Sequence, residues 1–504
     1  MLLSRKPELV ELNLSFSETQ SSRNVAKGAL AAIVTQLVRV TTQVGSVVVL
    51  SRLLTPADFG IYAMASPVLA LVVLFQDFGL GHATVQKEFL TQKDLTSLFW
   101  VNILAGISLA LALVILSPLV CLFYNNPKLA VLTSAMSVTL ILSGADVQHL
   151  ALLTRQMRFW TLALLESAAA LSGFFTACIL ALIYHDYWAI LAGSLASGVV
   201  LAVGAWLSSG WLPSKPGSIR EAKGMLHFGV GVTGFNFAEF LSRNADSVLI
   251  GKYWGEVPLG LYNRAYRLLL FPLQQVTNPM IRVMLPTLSR LVQQPEKYRE
   301  AFLRAVFPAF VVVLPGVAFM IATADSLVPI VLGSRWADVA PTFVGLGMAG
   351  LLQTMNSPAS WIFLSQGRTR EYMLWGFFSA ATSVSAFVCG LPHGPLGVAI
   401  AYSISEILRT PILWWIAGAR GPIGRRDILG MTTPHFLGAI SSLAAVYLLH
   451  RWMLNRTLLD LSICLILSYA VSLFLIYLFP ASRREIRRYV NVGIKVVAPE
   501  PKRI

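Results

Sequence analysis

Apolar stretches of about 20 residues recur almost from end to end of this sequence, each long enough to cross about 30 Å of hydrocarbon as a helix. No other feature constrains the chain so strongly. Inside lipid every backbone N–H and C=O needs an internal partner, so runs of this length can be accommodated only as a bundle of helices. The spans read as 28–50, 61–80, 97–121, 129–149, 160–183, 188–208, 226–250, 259–286, 303–323, 340–364, 372–391, 396–417, 433–450 and 458–479. Fourteen is an even number, which puts both termini on one side. The second span ends with Asp77 inside it, and the eighth holds Pro272 and Pro279, which such helices tolerate when neighbours satisfy the freed carbonyls. Composition agrees: 56% of the 504 residues are hydrophobic and 12% are charged, against about 25% charged in a soluble domain. That leaves too little polar surface for a water-soluble globule and excludes an ordinary cytosolic enzyme.

The net charge of +15, from 39 Lys and Arg against 24 Asp and Glu, raises the question of nucleic acid. The placement of the basic residues answers it. With the N-terminus inside, Lys and Arg on inner loops and tails outnumber those on outer loops by about four to one, the asymmetry expected of cytoplasmic loops. The outer loops carry Arg52, Lys128, Lys252, Arg335, Arg451 and Arg456. The excess is therefore topological, and no nucleic-acid partner is implied. Residues 1–27 lack the apolar core of a signal peptide and read as a cytoplasmic arm. Arg483, Arg484, Arg487 and Arg488, just past the last span, read as a basic patch facing anionic lipid. No loop is long enough to fold as a soluble domain, so the function is expected within the bilayer. Cys121, Cys178, Cys389 and Cys464 form no CxxC or Cys/His cluster, and neither a disulfide framework nor a metal site is suggested.

A shift of 200 residues lays the first span over the seventh. VVLSRLLTPADFGIY (48–62) aligns without a gap on VLIGKYWGEVPLGLY (248–262), with Val48/Val248, Gly60/Gly260 and Tyr62/Tyr262 identical. The match falls at the same point of the topology, the exit of one span and the entry of the next. Six spans separate the copies, so both share one orientation, the parallel-repeat arrangement of many secondary transporters. The expected architecture is an all-α polytopic membrane protein of about 14 transmembrane helices. Two pseudo-symmetric six-helix lobes surround a central cavity, with two further C-terminal helices. In residues this gives the arm 1–27, an N-lobe 28–208, a cytoplasmic linker 209–225, a C-lobe 226–417, two spans within 433–479 and a basic cytoplasmic tail 480–504.

SRLLTPADFGIYA (51–63) and RNADSVLIGKYWGEVPLGLYNRAYRL (243–268) resemble the polysaccharide transporter family, which includes Wzx-type oligosaccharide flippases and belongs to the multidrug/oligosaccharidyl-lipid/polysaccharide exporter superfamily. The similarity extends over nearly the whole chain in span number and loop length, and it weakens over the last two spans. It implies a carrier, not an enzyme, without a cofactor. Its cargo would be an undecaprenyl-diphosphate-linked oligosaccharide moved from the inner to the outer leaflet of a bacterial inner membrane for exopolysaccharide, lipopolysaccharide or capsule synthesis. The implied partners are membrane lipids and the polymerase and glycosyltransferases of the same pathway.

A charge near the centre of a membrane helix costs about 2.5–3.5 kcal/mol on insertion scales, so each one calls for a reason. Arg39 lies in the first span with Gln43 a turn later, and Glu239, Arg243 and Asp246 share one face of the seventh. The 200-residue shift superposes Arg39 and Gln43 on Glu239 and Arg243. Arg264, Arg267 and Arg282 lie in the eighth span, Glu406 and Arg409 in the twelfth, and Glu166 in the fifth. One reading is self-neutralisation, Glu239–Arg243–Asp246 within one helix and Glu406–Arg409 within another. It fits Arg39 and Arg267 less well, because neither has a carboxylate three or four residues away, while Arg264 and Arg282 would snorkel to the interfaces. The functional reading is a wet cavity lined by Arg39, Arg243, Arg267 and Arg409, whose guanidiniums suit the oxygens of a diphosphate. Gln43, Glu239, Asp246 and Glu406 are then the polar or ion-coupling groups. That the family carries cations in such a cavity is implied by the resemblance.

Other signals carry less. Gly229, Gly231 and Gly234 match GxGxxG but lie inside an apolar span with no preceding strand, so a dinucleotide site is not expected. Gly345, Gly347 and Gly350 read as points where helices approach closely. Trp100, Trp160, Tyr187, Trp188, Trp211, Tyr253 and Trp254 fit an interfacial aromatic belt. No GxxxxGK[ST] loop occurs. Three alternatives stand beside the flippase: a lipid II-type carrier, a cation-coupled drug exporter of the same superfamily, and a membrane polysaccharide polymerase or glycosyltransferase.

Overall fold

The computed structural model describes residues 18–76, 84, 91–214, 223–453 and 457–497. Among them every regular element is helical. Among the described residues ten stretches are long and apolar enough to cross a membrane, and two of these, Lys128–Arg155 and Thr369–Ala417, each contain two α-helices. Large apolar side chains such as Leu122, Leu207 and Phe474 stand on the outside, where lipid is the solvent. This is a multi-pass helical membrane protein.

The chain divides into two compact units, up to Gly260 and from Leu261 onward. The first contains α1 (Glu18–Leu53), α2 (Pro56–Leu74), α3 (Gln92–Tyr124), α4 (Lys128–Met136), α5 (Val138–Arg155), α6 (Phe159–Tyr184), α7 (Trp188–Ser209) and α8 (Lys223–Trp254). It ends within the first turn of α9 (Glu256–Leu291). The second unit holds the rest of α9, then α10 (Pro295–Ala322), α11 (Ala324–Leu332), α12 (Val339–Asn356), α13 (Ala359–Ser365), α14 (Thr369–Gly390), α15 (Gly394–Ala417), α16 (Arg425–Trp452), α17 (Leu458–Leu478) and α18 (Pro480–Val497).

Over their described residues the fourteen expected spans lie on helices or pairs of helices, consistent with that number; the end of the second, 77–80 with Asp77, lies outside the described residues. The fourth is broken at Ser137 into α4 and α5. There Ser137 Oγ donates to Ser134 O at 2.6 Å and Thr139 Oγ1 to Met136 O at 2.7 Å, local bonds that compete with the helix ladder. The tenth is broken ahead of Pro358 into α12 and α13, as proline dictates. By contrast α9 stays helical through Pro272, Pro279 and Pro286. α1 includes residues from Glu18, inside the expected arm, and the expected tail is helical over 480–497 as α18.

Sequence sets the helix starts. Thr55 and Asp58 form a capping box ahead of α2, with Pro56 at the first helical position, and Thr91/Asp94 and Thr457/Asp460 repeat the device at α3 and α17. The two copies of the internal repeat occupy the α1–α2 and α8–α9 junctions, and within the first unit they meet. A Cβ built on Gly60 would lie 1.8 Å from Glu256 O, and one on Gly260 would lie 1.9 Å from Pro56 O. Only a residue without a side chain fits either place. Asn126 Nδ2 donates to Glu256 Oε2 at 2.7 Å, and Lys252 Nζ donates to Phe123 O, which fastens the same corner to the end of α3.

A second repeat lies ahead of α6 and α14. Gln156–Met157–Arg158 precedes α6 as Gln366–Gly367–Arg368 precedes α14, with positive φ at the middle residue in both, 54° at Met157 and 69° at Gly367. The arginines act alike: Arg158 Nη1 donates to Ser208 O at 2.6 Å, and Arg368 donates to Ile416 O at 2.7 Å and Ala417 O at 2.9 Å. Each closes the carbonyl end of a long helix of its own unit.

Candidate functional site

The packing of α1 on α6 places the first expected cation. Arg39 Nη2 lies 2.8 Å from Glu166 Oε2, and the two side chains are 49% and 44% exposed. The view of Arg39 as a cation without a neutralising carboxylate is therefore corrected. Its partner comes from another helix, 127 residues along the chain, which no i±3 or i±4 search reaches. Half-exposed, the pair is easily broken, and the guanidinium stays available for a stronger anion. Gln43, one turn on, is also exposed.

On α8, Arg243 is exposed and Asp246 is buried, with Asp246 Oδ1 accepting from the Ser247 N–H at 2.6 Å. The side chain of Glu239 lies outside the described residues. On α9, Arg267 is exposed, whereas Arg264 is only 6% exposed, its guanidinium 5.7 Å from the Trp336 ring centroid. Snorkelling is thus corrected for Arg264: burial under an indole, with the attraction a cation gains over an aromatic face, holds it instead. Arg282 is exposed.

Glu406 and Arg409 on α15 are both buried and form an ion pair. Arg409 Nη1 further donates to Ser383 Oγ at 2.5 Å and Ser379 O at 2.9 Å on α14, and its guanidinium sits 5.4 Å from the Tyr402 ring. Tyr402 OH in turn accepts from Gln353 Nε2 on α12 at 2.6 Å. The self-neutralising reading describes this pair, and its hydrogen bonds tie α12, α14 and α15 together. A guanidinium so engaged has little left for a cargo anion.

The small residues do what their size suggests. A Cβ on Gly347 would lie 2.7 Å from Ile321, and one on Gly350 would lie 2.7 Å from Leu269. The GxGxxG segment is helical, as part of α8. The aromatic belt needs correcting at two positions. Tyr187 and Trp211 are buried, Trp211 against Phe99 and His149 in the core of the first unit. Its Nε1 donates to Gln92 Oε1 at 2.7 Å. The four cysteines are free. Among the described residues no group of three or more His, Cys, Asp or Glu could hold a metal ion.

One carboxylate at membrane depth is missing from the charges read out of the sequence. Asp146 lies in the middle of α5 and is 6% exposed. An aspartate inside the apolar stretch 129–149 was signal enough to find it.

Comparison with known proteins places this arrangement. Residues 49–341 match the family model described as polysaccharide biosynthesis protein, and residues 247–469 match that of lipid II flippase MurJ. The lipopolysaccharide biosynthesis protein WzxC of Escherichia coli (strain K12) is 24% identical over 394 residues, covering 77% of this chain and 80% of that protein. The succinoglycan biosynthesis transport protein ExoT of Rhizobium meliloti (strain 1021) is 26% identical over 355 residues, 70% of this chain and 71% of that one. Among solved structures, lipid II flippase MurJ in an inward closed conformation superposes with a TM-score of 0.70 over 90% of this chain and 98% of its own, at 14% identity. With the same helical fold, the repeat at the α1–α2 and α8–α9 junctions and a family match over more than half its length, the chain belongs to the polysaccharide biosynthesis protein family.

Proposed function

We propose that this protein is a flippase. It carries an oligosaccharide linked to undecaprenyl diphosphate from the inner to the outer leaflet of a bacterial inner membrane, with both of its own termini in the cytoplasm. The observation that carries this reading is the match to relatives named for polysaccharide biosynthesis and transport on the fold of a lipid II flippase. The lobes 28–208 and 226–417 would rock to expose the cargo path to each side in turn. The cargo cations are Arg39, Arg243 and Arg267, all exposed on helices at membrane depth. Gln43, Glu239 and Asp246 share those helices as polar neighbours. Arg409 and Glu406 brace α14 and α15. On this reading Arg39 exchanges Glu166 for phosphate when cargo enters, since a diphosphate offers more charge and more acceptor oxygens than one carboxylate.

No nucleotide-hydrolysing loop is needed for net movement. An inside-negative potential drives each negative charge outward by about 2.3 kcal/mol per 100 mV. The chain would act without a cofactor and would not itself make or break glycosidic bonds. Its partners are the lipid-linked oligosaccharide, membrane lipids, and the polymerase and glycosyltransferases of the pathway. The test is leaflet-resolved detection of a labelled polyprenyl-diphosphate glycan in vesicles with and without the protein. Arrival in the far leaflet only when the protein is present supports the reading, and equal rates in both sink it.

The match of residues 247–469 to the lipid II flippase model favours one second reading, a cell-wall precursor as cargo. Gene deletion separates the two: loss of surface polymer in viable cells indicates the oligosaccharide, and loss of viability indicates the wall precursor.

A further inference from the structure

We infer that Asp146 is a proton-binding site that couples cargo movement to a proton gradient, an inference that rests on the flippase reading. Among the described residues, the other carboxylates on these middle turns are engaged. Glu166 and Glu406 form ion pairs, and Asp246 accepts from the Ser247 N–H. Asp146 is 6% exposed on α5, and no hydrogen bond or ion pair reaches it among the described residues. A lone ionised carboxylate in such surroundings costs several kcal/mol, so the site is stable as a neutral acid or with a cation bound. A single carboxyl offers a metal ion too few oxygens, which leaves the proton as the cation of choice.

The neighbouring charges do not take that role. α5 packs against α3, α4, α6 and α7. Of these, α7 carries no titratable side chain, α6 carries Glu166, already paired with Arg39, and Cys178 and Tyr184 toward its far end, and α3 and α4 carry Lys93, Asp94 and Lys128 in their first turns and Cys121 and Tyr124 in the last turn of α3. On α5 itself, Arg155 lies nine residues on, about 13 Å along the helix, and donates to Thr84 O. His149, at i+3, has Nδ1 bonded with Ser209 Oγ at 2.8 Å. Among the described residues its Nε2 is buried without a partner, as are Asn102 Nδ2 on α3 and Gln148 Nε2 on α5. Such orphaned polar atoms are costly in a core, and of the three only the His149 imidazole, one turn from Asp146, can itself take up and release a proton. The chemical step is simple. Asp146 takes a proton from water on one side of the membrane, forming one O–H bond, and the same bond breaks when the proton leaves on the other side.

The experiment uses the full-length protein in vesicles, with labelled polyprenyl-diphosphate glycan and an imposed pH gradient. One coupled proton shifts the equilibrium distribution of cargo about tenfold per pH unit. The native protein should show that shift. Asp146→Asn, nearly isosteric and uncharged at any pH, should equilibrate the glycan without it, and Asp146→Glu should restore it. An unchanged tenfold shift in Asp146→Asn overturns the proposal, as does a response to sodium but not to pH. A separate readout needs no transport: the infrared carbonyl band of a buried protonated carboxyl should be present in the native protein and absent in Asp146→Asn. If the band behaves so while no glycan moves at all, the proton site stands and the cargo reading fails. If the band is missing from the native protein, the proton site fails.

Discussion

Arg39 and Arg409 show how alike two arginines can look in sequence and how differently a fold treats them. Both interrupt apolar helices, and both were expected to serve one cavity. Arg409 is buried with Glu406, and removing one partner of a buried pair strands the other charge at a cost of about 3–5 kcal/mol. Arg409→Met alone should therefore lower thermal stability in detergent strongly, whereas the double change Glu406→Leu, Arg409→Met should recover most of the loss. Arg39, in a half-exposed pair, should behave in the opposite way. Arg39→Ala should leave melting nearly unchanged, since such pairs contribute about 0–1 kcal/mol, yet reduce polymer export by at least about tenfold if it holds phosphate. Arg243→Ala should match it in export while leaving the protein inserted. Normal export in both variants would remove them from the cargo path. Met157 is a third case. Left-handed backbone at φ 54° costs an L-residue about 1–2 kcal/mol, and its repeat counterpart is Gly367 at φ 69°. Met157→Gly should raise the melting temperature or leave it unchanged, and Gly367→Met should lower it.

Between helices, backbone contact rather than side-chain chemistry decides the outcome. At the meeting of the α1–α2 and α8–α9 junctions, Gly60 and Gly260 each lie against a carbonyl of the other copy. A methyl at either position forces the backbones apart by more than an ångström, because no flexible side chain is there to yield. Gly60→Ala and Gly260→Ala should each abolish this closed corner, and the faster alkylation of a cysteine placed at Asn126 in either variant is the measure. An unchanged rate would mean that the corner opens regardless. The identity of Gly60 and Gly260 was legible in the sequence as part of the repeat. Their contact with each other was not, since a repeat says that two segments fold alike and nothing of where they meet. Helix starts were more legible: TPAD at 55–58 spells a capping box with proline at the first helical position, and the structure forms it. Breaks were less so, because Ser137 interrupts a helix only through bonds to its own neighbours, whereas Pro358 announces itself.

For the molecule as a whole, the potential across the membrane sets the direction of cargo movement. A headgroup bearing about two negative charges gains about 5 kcal/mol per 100 mV on leaving an inside-negative compartment. Collapsing the potential in vesicles at a constant pH gradient should lower the outward-to-inward ratio of labelled glycan, and reversing the potential should lower it further. No change would rule out net charge movement with the cargo. Sequence by itself determined that this chain is a helical membrane protein, where its helices run, and to which family it belongs. Those properties follow from solvent: a run of apolar residues long enough to span lipid has one stable conformation, and it needs no distant partner to adopt it. Tertiary structure alone decided which charges are spent. Glu166 neutralises Arg39 from another helix, Trp336 covers Arg264, Ser379 and Ser383 hold Arg409, and Asp146 is buried with no hydrogen bond or ion pair from the described residues. The worth of a charge in low dielectric depends on what lies within a few ångströms of it, and that distance is set by packing between helices far apart in the chain.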